Sequence, residues 1–301
     1  MIGTETNLPA RKRKFSLFYQ QWNVDVILCI NRSEAPNCDY FCDAMKNKKP
    51  LILVTNDDGI TAPGIAALVE VMRTLGDVVV VAPDKPQSGM GHAITINSTL
   101  RINKVNIYGV KEEYSCSGTP VDCVKIAVNK ILKRKPDLCV SGINHGSNMS
   151  INVIYSGTMS AAVEGAIEGV SSIGFSLLDE SIGADFKAAK KIVKAIAGSV
   201  LKNGVPADVC LNVNIPKLKS DEIKGIKVCR QARANWIEEL DERFDPAGKP
   251  YYWLTGKFEN YEEKSKDTDI WALENNYVSV VPTQFDMTAH AAIKEISKMK
   301  F

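Results

Sequence analysis

The sequence predicts an α/β fold, a doubly wound, Rossmann-like and mostly parallel sheet followed by a β-rich C-terminal arm. Three observations carry this expectation. From residue 51 to about 216, short apolar or β-branched runs alternate with helical segments, the pattern of βαβ units. Three of those runs break into polar loops, and ligands of open α/β sheets gather at the carboxyl ends of strands. After Pro216 the alternation stops, and a charge-rich stretch with Tyr251-Tyr-Trp253 takes over.

Taken in order, the first strand is Leu51-Ile-Leu-Val-Thr55, which breaks into Asn56-Asp-Asp-Gly59. Pro63-Gly64 opens a helix through Leu75, with Ile65, Leu68, Val69 and Met72 at helical spacing and Gly76 ending it. Val78–Val81 is the next buried strand, and residues 83–93 form a polar, glycine-rich loop beyond it. Alternating segments near 94–115 suggest short strands or a hairpin at the sheet edge. A helix follows from Pro120 to about Arg134, with Thr119 as N-cap and the proline at its first position. Asp137–Val140 is the third core strand, and a loop over 141–158 leads into a helix of small residues. A strand at 172–177, a helix at about 185–201 and a strand at 208–214 complete the alternation. Beyond it, 241–250 reads as a loop, Val278–Val281 as a strand and 288–299 as a final helix. The chain thus divides into a core over 45–216 and a C-terminal appendage over 217–301 that suits a subunit contact.

Composition narrows the function classes. A net charge of +2 gives no electrostatic case for nucleic acid as a partner. Eight cysteines are too few for a disulfide scaffold at this length, and Cys116, Cys123, Cys139, Cys210 and Cys229 lie in apolar contexts. Buried free thiols are the default there and point to a reducing, cytoplasmic protein. Three histidines without a His-x-x-x-His pair argue against a zinc hydrolase. No run is long enough to cross a membrane. Residues 1–44, with Arg11-Lys-Arg-Lys14 and a broken apolar stretch after it, match neither a signal peptide nor the fold. They are expected to be an extension outside it, with the second methionine, Met45, just before the first convincing strand.

The chemistry lies in the three loops at 56–63, 83–93 and 141–158, which a parallel sheet would open on one edge. Adjacent Asp57 and Asp58 repel each other unless a cation or a shared proton relieves them. With Ser88, Asn144, Asn148, Ser156 and Thr158 they make an oxygen-rich set that suits a hard divalent cation such as Mg²⁺ or Mn²⁺. Gly157-Thr158 ahead of a helix, with Ser156 beside it, offers N–H groups and a positive dipole end to an anion. Each piece has a plainer reading: a polar turn after a strand, a simple helix cap, a turn-forming Asn. His92 and His145 in these loops are more often solvated or structural than catalytic. Convergence of three loops on one edge favours a metal and anion pocket, hence a phosphoryl substrate.

Thr55-Asn-Asp-Asp-Gly-Ile60, Val81-Ala-Pro-Asp-Lys-Pro-Gln-Ser-Gly89, Ser117-Gly-Thr-Pro120, Ser141-Gly-Ile-Asn144 and Tyr155-Ser-Gly-Thr158 resemble the ordered motifs of the SurE family, stationary-phase survival proteins that act as 5'-nucleotidases. The resemblance runs from about residue 50 to the C-terminus and omits 1–44. It implies one divalent metal held by Asp57, Asp58, Ser88 and Asn144, and a phosphate loop at Ser156-Gly157-Thr158. It also implies a C-terminal arm exchanged within a homodimer, or a homotetramer. One departure stands out: many members carry a histidine where this chain has Gln284, which bears on leaving-group protonation.

The implied reaction is hydrolysis of a nucleoside 5'-monophosphate, with 3'-nucleotides and short polyphosphate as further substrates. Asp57 and Asp58 would anchor the ion, and one of them would take the proton of the attacking water. Asn144 and the Gly157-Thr158 amides would face the equatorial oxygens. The alternative is a non-catalytic nucleotide- or metal-sensing stress module. A nucleotide-dependent oxidoreductase lacks its glycine fingerprint.

Overall fold

The first strand, β1 (Leu51–Thr55), is apolar toward both faces and therefore needs cover on both sides and neighbours on both edges. It has them in β2 (Asp77–Pro83) and β5 (Leu138–His145), each parallel to it. The structure, a computed structural model, describes residues 49–181 and 183–301. The expectation for residues 1–44 lies outside them.

Nine strands form one sheet in the order β3-β4-β2-β1-β5-β6-β7-β11-β8. Here β3 is Ile102–Lys104, β4 Glu112–Cys116, β6 Ser172–Leu177, β7 Val209–Ile215, β8 Gly225–Val228 and β11 Tyr277–Gln284. The six strands from β4 to β7 are parallel, whereas β3 and β11 enter antiparallel to their neighbours β4 and β7. The chain builds outward from β1 through β2 to β4, then returns to the other side of β1 with β5. The strand order therefore reverses between β1 and β5, and a crevice opens there at the carboxyl ends.

Side-chain alternation along β1 sends Ile52 and Val54 to one face and Leu53 to the other. The first face packs on α1 (Pro63–Met72) and α4 (Lys187–Asn203) through Leu68, Met72, Val193 and Ala197. The second packs on α2 (Pro120–Ile126) and α3 (Gly157–Ile167) through Cys123, Val124 and Ala161. Thr119 caps α2 as expected: its hydroxyl accepts from Asp122 N, and the Asp122 carboxylate accepts from Thr119 N in return. A π-helical turn over Ala127–Ile131 then ends this helix short of Arg134.

Three local expectations need correction. The loop expected after Val140 begins five residues later, because β5 keeps pairing with β6 through a bulge, Asn144 opposite Ser176 and His145 opposite Leu177. The loop expected over 241–250 is strand on both sides of a short turn. β9 (Ala234–Phe244) and β10 (Pro250–Asn260) form a two-stranded hairpin, whose Asp245 closes the turn by accepting from Ala247 N and Lys249 N. The stretch after 217 is not one appendage either. Its β8 and β11 extend the main sheet, α5 (Asp269–Glu274) packs on β11, and Lys49–Phe301 is one compact unit. The hairpin and the terminal helix α6 (His290–Ile296) carry no buried side chains beyond the first residue, Ala234. No described helix is long and apolar enough to cross a membrane.

Candidate active site

The crevice between β1 and β5 is where the fold leaves its polar atoms unpaired. Six buried side-chain atoms among the described residues have no hydrogen-bond partner, and five lie at this edge: Thr55 Oγ1, Asn56 Oδ1, Asp58 Oδ2, Ser141 Oγ and His145 Nε2. Burying such atoms unpaired is costly, so their concentration here marks a site shaped for something other than stability.

Asp57 is the centre of the arrangement. It lies two residues beyond the end of β1 and is 4 % exposed. Its Oδ1 accepts from the Thr158 hydroxyl, at the start of α3. Burial pushes its carboxyl up to about 6, the Thr158 bond pulls it back, and the neighbouring Asp58 charge adds to the rise. Burial also raises Asp58, with His145 opposing. Gly157 is required by this packing, since a Cβ there would sit 2.7 Å from Asp57 Cβ and 2.9 Å from Oδ2. The helix N-terminus thus lies directly against the first carboxylate.

The loop after β2 closes a second side. Gln87 N donates to Asp57 O at 2.7 Å, and Gly91 N to Tyr155 O at 3.2 Å. Ser88 lies between these anchors and is exposed. On the third side Asn144 is half-buried at the end of β5, its Nδ2 donating to Gly146 O at 2.9 Å. That bond fixes the amide and leaves Oδ1 as its acceptor. Asn148, one of the wider set of donors, is instead committed to structure: it donates to Ser176 Oγ at 2.8 Å, and its backbone joins Asn212 and Asn214.

Each member of the expected phosphate loop has a structural duty. The Ser156 hydroxyl caps α3, accepting from Met159 N at 3.0 Å, so the plain cap reading holds for that oxygen. Thr158 gives its hydroxyl to Asp57. What the segment presents to an anion is its backbone at the helix start.

Sequence reasoning missed Glu164. This carboxylate on α3 is 2 % exposed, and it accepts from Lys125 at 2.6 Å and bonds His92 Nε2 at 2.9 Å. It ties the loop after β2 and helix α2 to the helix that supports Asp57. The available signal was one acid among Ala161, Ala162, Gly165 and Ala166, a place where a charge is retained only with partners. Gln284 has a different standing from the one its motif suggested. It ends β11 opposite Val209, the first residue of β7, and so lies at the amino edge of the parallel strands. Within one chain it is on the opposite edge from Asp57.

The donor set fits a hard divalent cation. One buried Asp58 oxygen lacks any partner, and the neighbours are carboxylate, amide and hydroxyl oxygens. Among the described residues no group of three or more His, Cys, Asp or Glu side chains is arranged for a metal. A cation at this edge would therefore rest on Asp57, Asp58 and the neutral oxygens of Asn144 and Ser88.

Fold and site together define a doubly wound α/β protein with a largely buried carboxylate pair at its topological switch point. The family described as Survival protein SurE matches residues 52–238, and the chain belongs to that family. It is 70% identical over 256 residues to the protein named 5'-nucleotidase SurE of Christiangramia forsetii, covering 84% of this chain and 98% of that one. The protein of the same name from Flavobacterium johnsoniae is 67% identical over 257 residues, 85% of this chain and 99% of that one. Among solved structures, the SurE protein from Aquifex aeolicus superposes with a TM-score of 0.73 at 43% identity, covering 83% of this chain and 99% of that one.

Proposed function

We propose that this chain is a metal-dependent phosphomonoesterase that hydrolyses nucleoside 5'-monophosphates to nucleoside and phosphate. The observation that carries the reading is the unpartnered, buried Asp58 oxygen beside a second carboxylate, with a helix N-terminus packed against it. The name 5'-nucleotidase on relatives of 70% and 67% identity supports the same reaction and disfavours the sensing module.

Bound at Asp57, Asp58, Asn144 and Ser88, a divalent cation such as Mg²⁺ or Mn²⁺ would polarise a phosphoryl oxygen and acidify the attacking water. The chain's own groups do the rest. Thr158 fixes the Asp57 carboxylate in one orientation. One of the two carboxylates would also take the proton of the attacking water. The backbone at the start of α3 and the Asn144 amide face charge gathering on the equatorial oxygens. Gly157→Ala should lower turnover by about 10²-fold, the scale of a misplacement near 1 Å. Circular dichroism should stay unchanged, and wild-type turnover in this variant would show that the contact with Asp57 is not needed.

Phosphate release from 5'- and 3'-nucleoside monophosphates and short polyphosphate, with Mg²⁺, Mn²⁺ or EDTA, tests the reaction. Release from 5'-nucleotides that EDTA stops is the expected result. The same panel decides the 3'-nucleotides and polyphosphate. Folded protein that releases nothing with any metal would overturn the reading. Five buried free cysteines among the described residues support a cytoplasmic setting. Exposed Ile237, Tyr251 and Trp253 on one face of the hairpin support a homodimer or homotetramer.

A further inference from the structure

The hairpin carries a feature that the chemistry at Asp57 does not use. Its register pairs Trp236 with Phe258, Glu238 with Gly256 and Leu240 with Leu254. Alternate residues of a strand share a face, so these six lie on one side of the ribbon. At its base, Trp236 meets Phe258 edge-on at 5.3 Å and donates from Nε1 to Asn152 Oδ1 at 2.8 Å. Asn152 belongs to the 3-10 turn Ser150–Ile154, which runs directly into Tyr155. Tyr155 immediately precedes Ser156-Gly157-Thr158.

Gly256 makes the face concave. It stands opposite Glu238, and a Cβ there would fall 2.7 Å from Ile237 O. The result is a cleft of about 340 Å³ lined by Tyr155, Trp236, Glu238, Leu254, Thr255 and Gly256. Two aromatic rings, an aliphatic wall and one carboxylate surround a floor without a side chain. Tyr155 is 53% exposed and Trp236 41%, so both rings are open to a ligand.

We propose that this cleft is the nucleobase subsite of the same reaction, an inference that rests on the phosphomonoesterase reading above. A nucleobase offers flat faces that stack on aromatic rings whatever its sequence identity. Its donor edge matches Glu238, whose ionised carboxylate only accepts. The segment that would hold the phosphate and the ring that would hold the base are consecutive in the chain, which suits a ligand with both groups in one molecule. Glu238 selects for bases with paired N–H donors, guanine above all, and against uracil, which presents one.

The test compares kcat/KM for GMP, UMP and ribose 5-phosphate, the base-free control, in the full chain with Mn²⁺. Trp236→Ala should lower the ratio of GMP to ribose 5-phosphate about tenfold, through KM, the scale of one lost base stack. Trp236→Phe should restore most of it. Glu238→Gln should cut the ratio of GMP to UMP about fivefold or more. Unchanged ratios in the Trp236 and Glu238 variants, with wild type turning over all three substrates, overturn the subsite and leave the phosphatase reading intact. A changed oligomeric state with unchanged ratios also overturns it, assigning the cleft to a second copy of the chain. A wild type that releases no phosphate at all overturns both readings together.

Discussion

Asp57→Asn and Asp58→Asn should each abolish phosphate release, by at least about 10³-fold, while raising the stability of the metal-free protein. The loss should exceed the roughly 10²–10³-fold cost of deleting one neutral donor from an oxyanion hole, because each change removes a charge that a cation needs. The gain in stability follows from burial. Asp57 has a folded-state pKa of about 6 against 3.8 in a solvated chain. A carboxyl raised in this way binds its proton more tightly when folded. Folding is then weakened progressively as pH rises from about 3.8 to 6, and the full penalty stands above 6. At neutral pH that amounts to about 3 kcal/mol, and Asp58 acts in the same direction. Asparagine carries no charge and still offers Thr158 an acceptor. In EDTA at pH 7.5, Asp57→Asn should therefore melt several degrees above wild type, with the difference gone below pH 4. Mn²⁺ should raise the wild-type melting temperature more at pH 7.5 than at pH 5. Near-normal turnover in either variant would sink the site, and a variant that melts lower in EDTA would show that the pair is not strained.

The part of this site that was legible in sequence is the part where local pattern and function coincide. Leu51–Thr55 is followed, after Asn56, by two acids, and a buried strand cannot continue through charges, so its end and the position of Asp57 were readable together. The helix starts at Pro63 and Pro120 were readable because proline and a capping Thr act within four residues. Asn144 was not readable as a strand residue, since only pairing with Ser176 on β6 keeps β5 going past Gly142. Val278–Val281 was recognisable as a strand, but its partner β7 is more than sixty residues earlier, and no local signal reports such a pairing. That is why an appendage was expected where β11 and β8 complete the sheet. The hairpin was under-read for a different reason. Both its faces carry charged and aromatic residues, so Asp241-Glu-Arg243 shows none of the alternation that a half-buried strand has. Its glycine slot depends on cross-strand register alone.

Asp269 is the residue whose loss should cost the most stability. It is fully buried, and its two oxygens take three backbone donors. Oδ2 accepts from Ser150 N at 2.7 Å, and Oδ1 accepts from Ala232 N and Ile270 N, each at 2.9 Å. Ser150 opens the turn that leads to Tyr155 and the start of α3, and its hydroxyl donates to Ala232 O at 2.8 Å. Ala232 lies two residues before the hairpin. One carboxylate thus joins the run-in to the phosphate segment, the root of the hairpin and helix α5. Asp269→Ala strands three buried N–H groups at about 1–3 kcal/mol each, so a loss of about 3 kcal/mol or more is expected in urea unfolding. Asp269→Asn should not rescue it, because an amide has one acceptor oxygen and turns its NH₂ toward donors on the other side. Hydrogen exchange should rise first over residues 232–260, where the anchor is released, and turnover per folded molecule should fall because the turn ahead of Ser156 loses its fixed start. If both variants stay within about 0.5 kcal/mol of wild type, the three N–H groups have other partners, and the link from hairpin to active site does not run through Asp269.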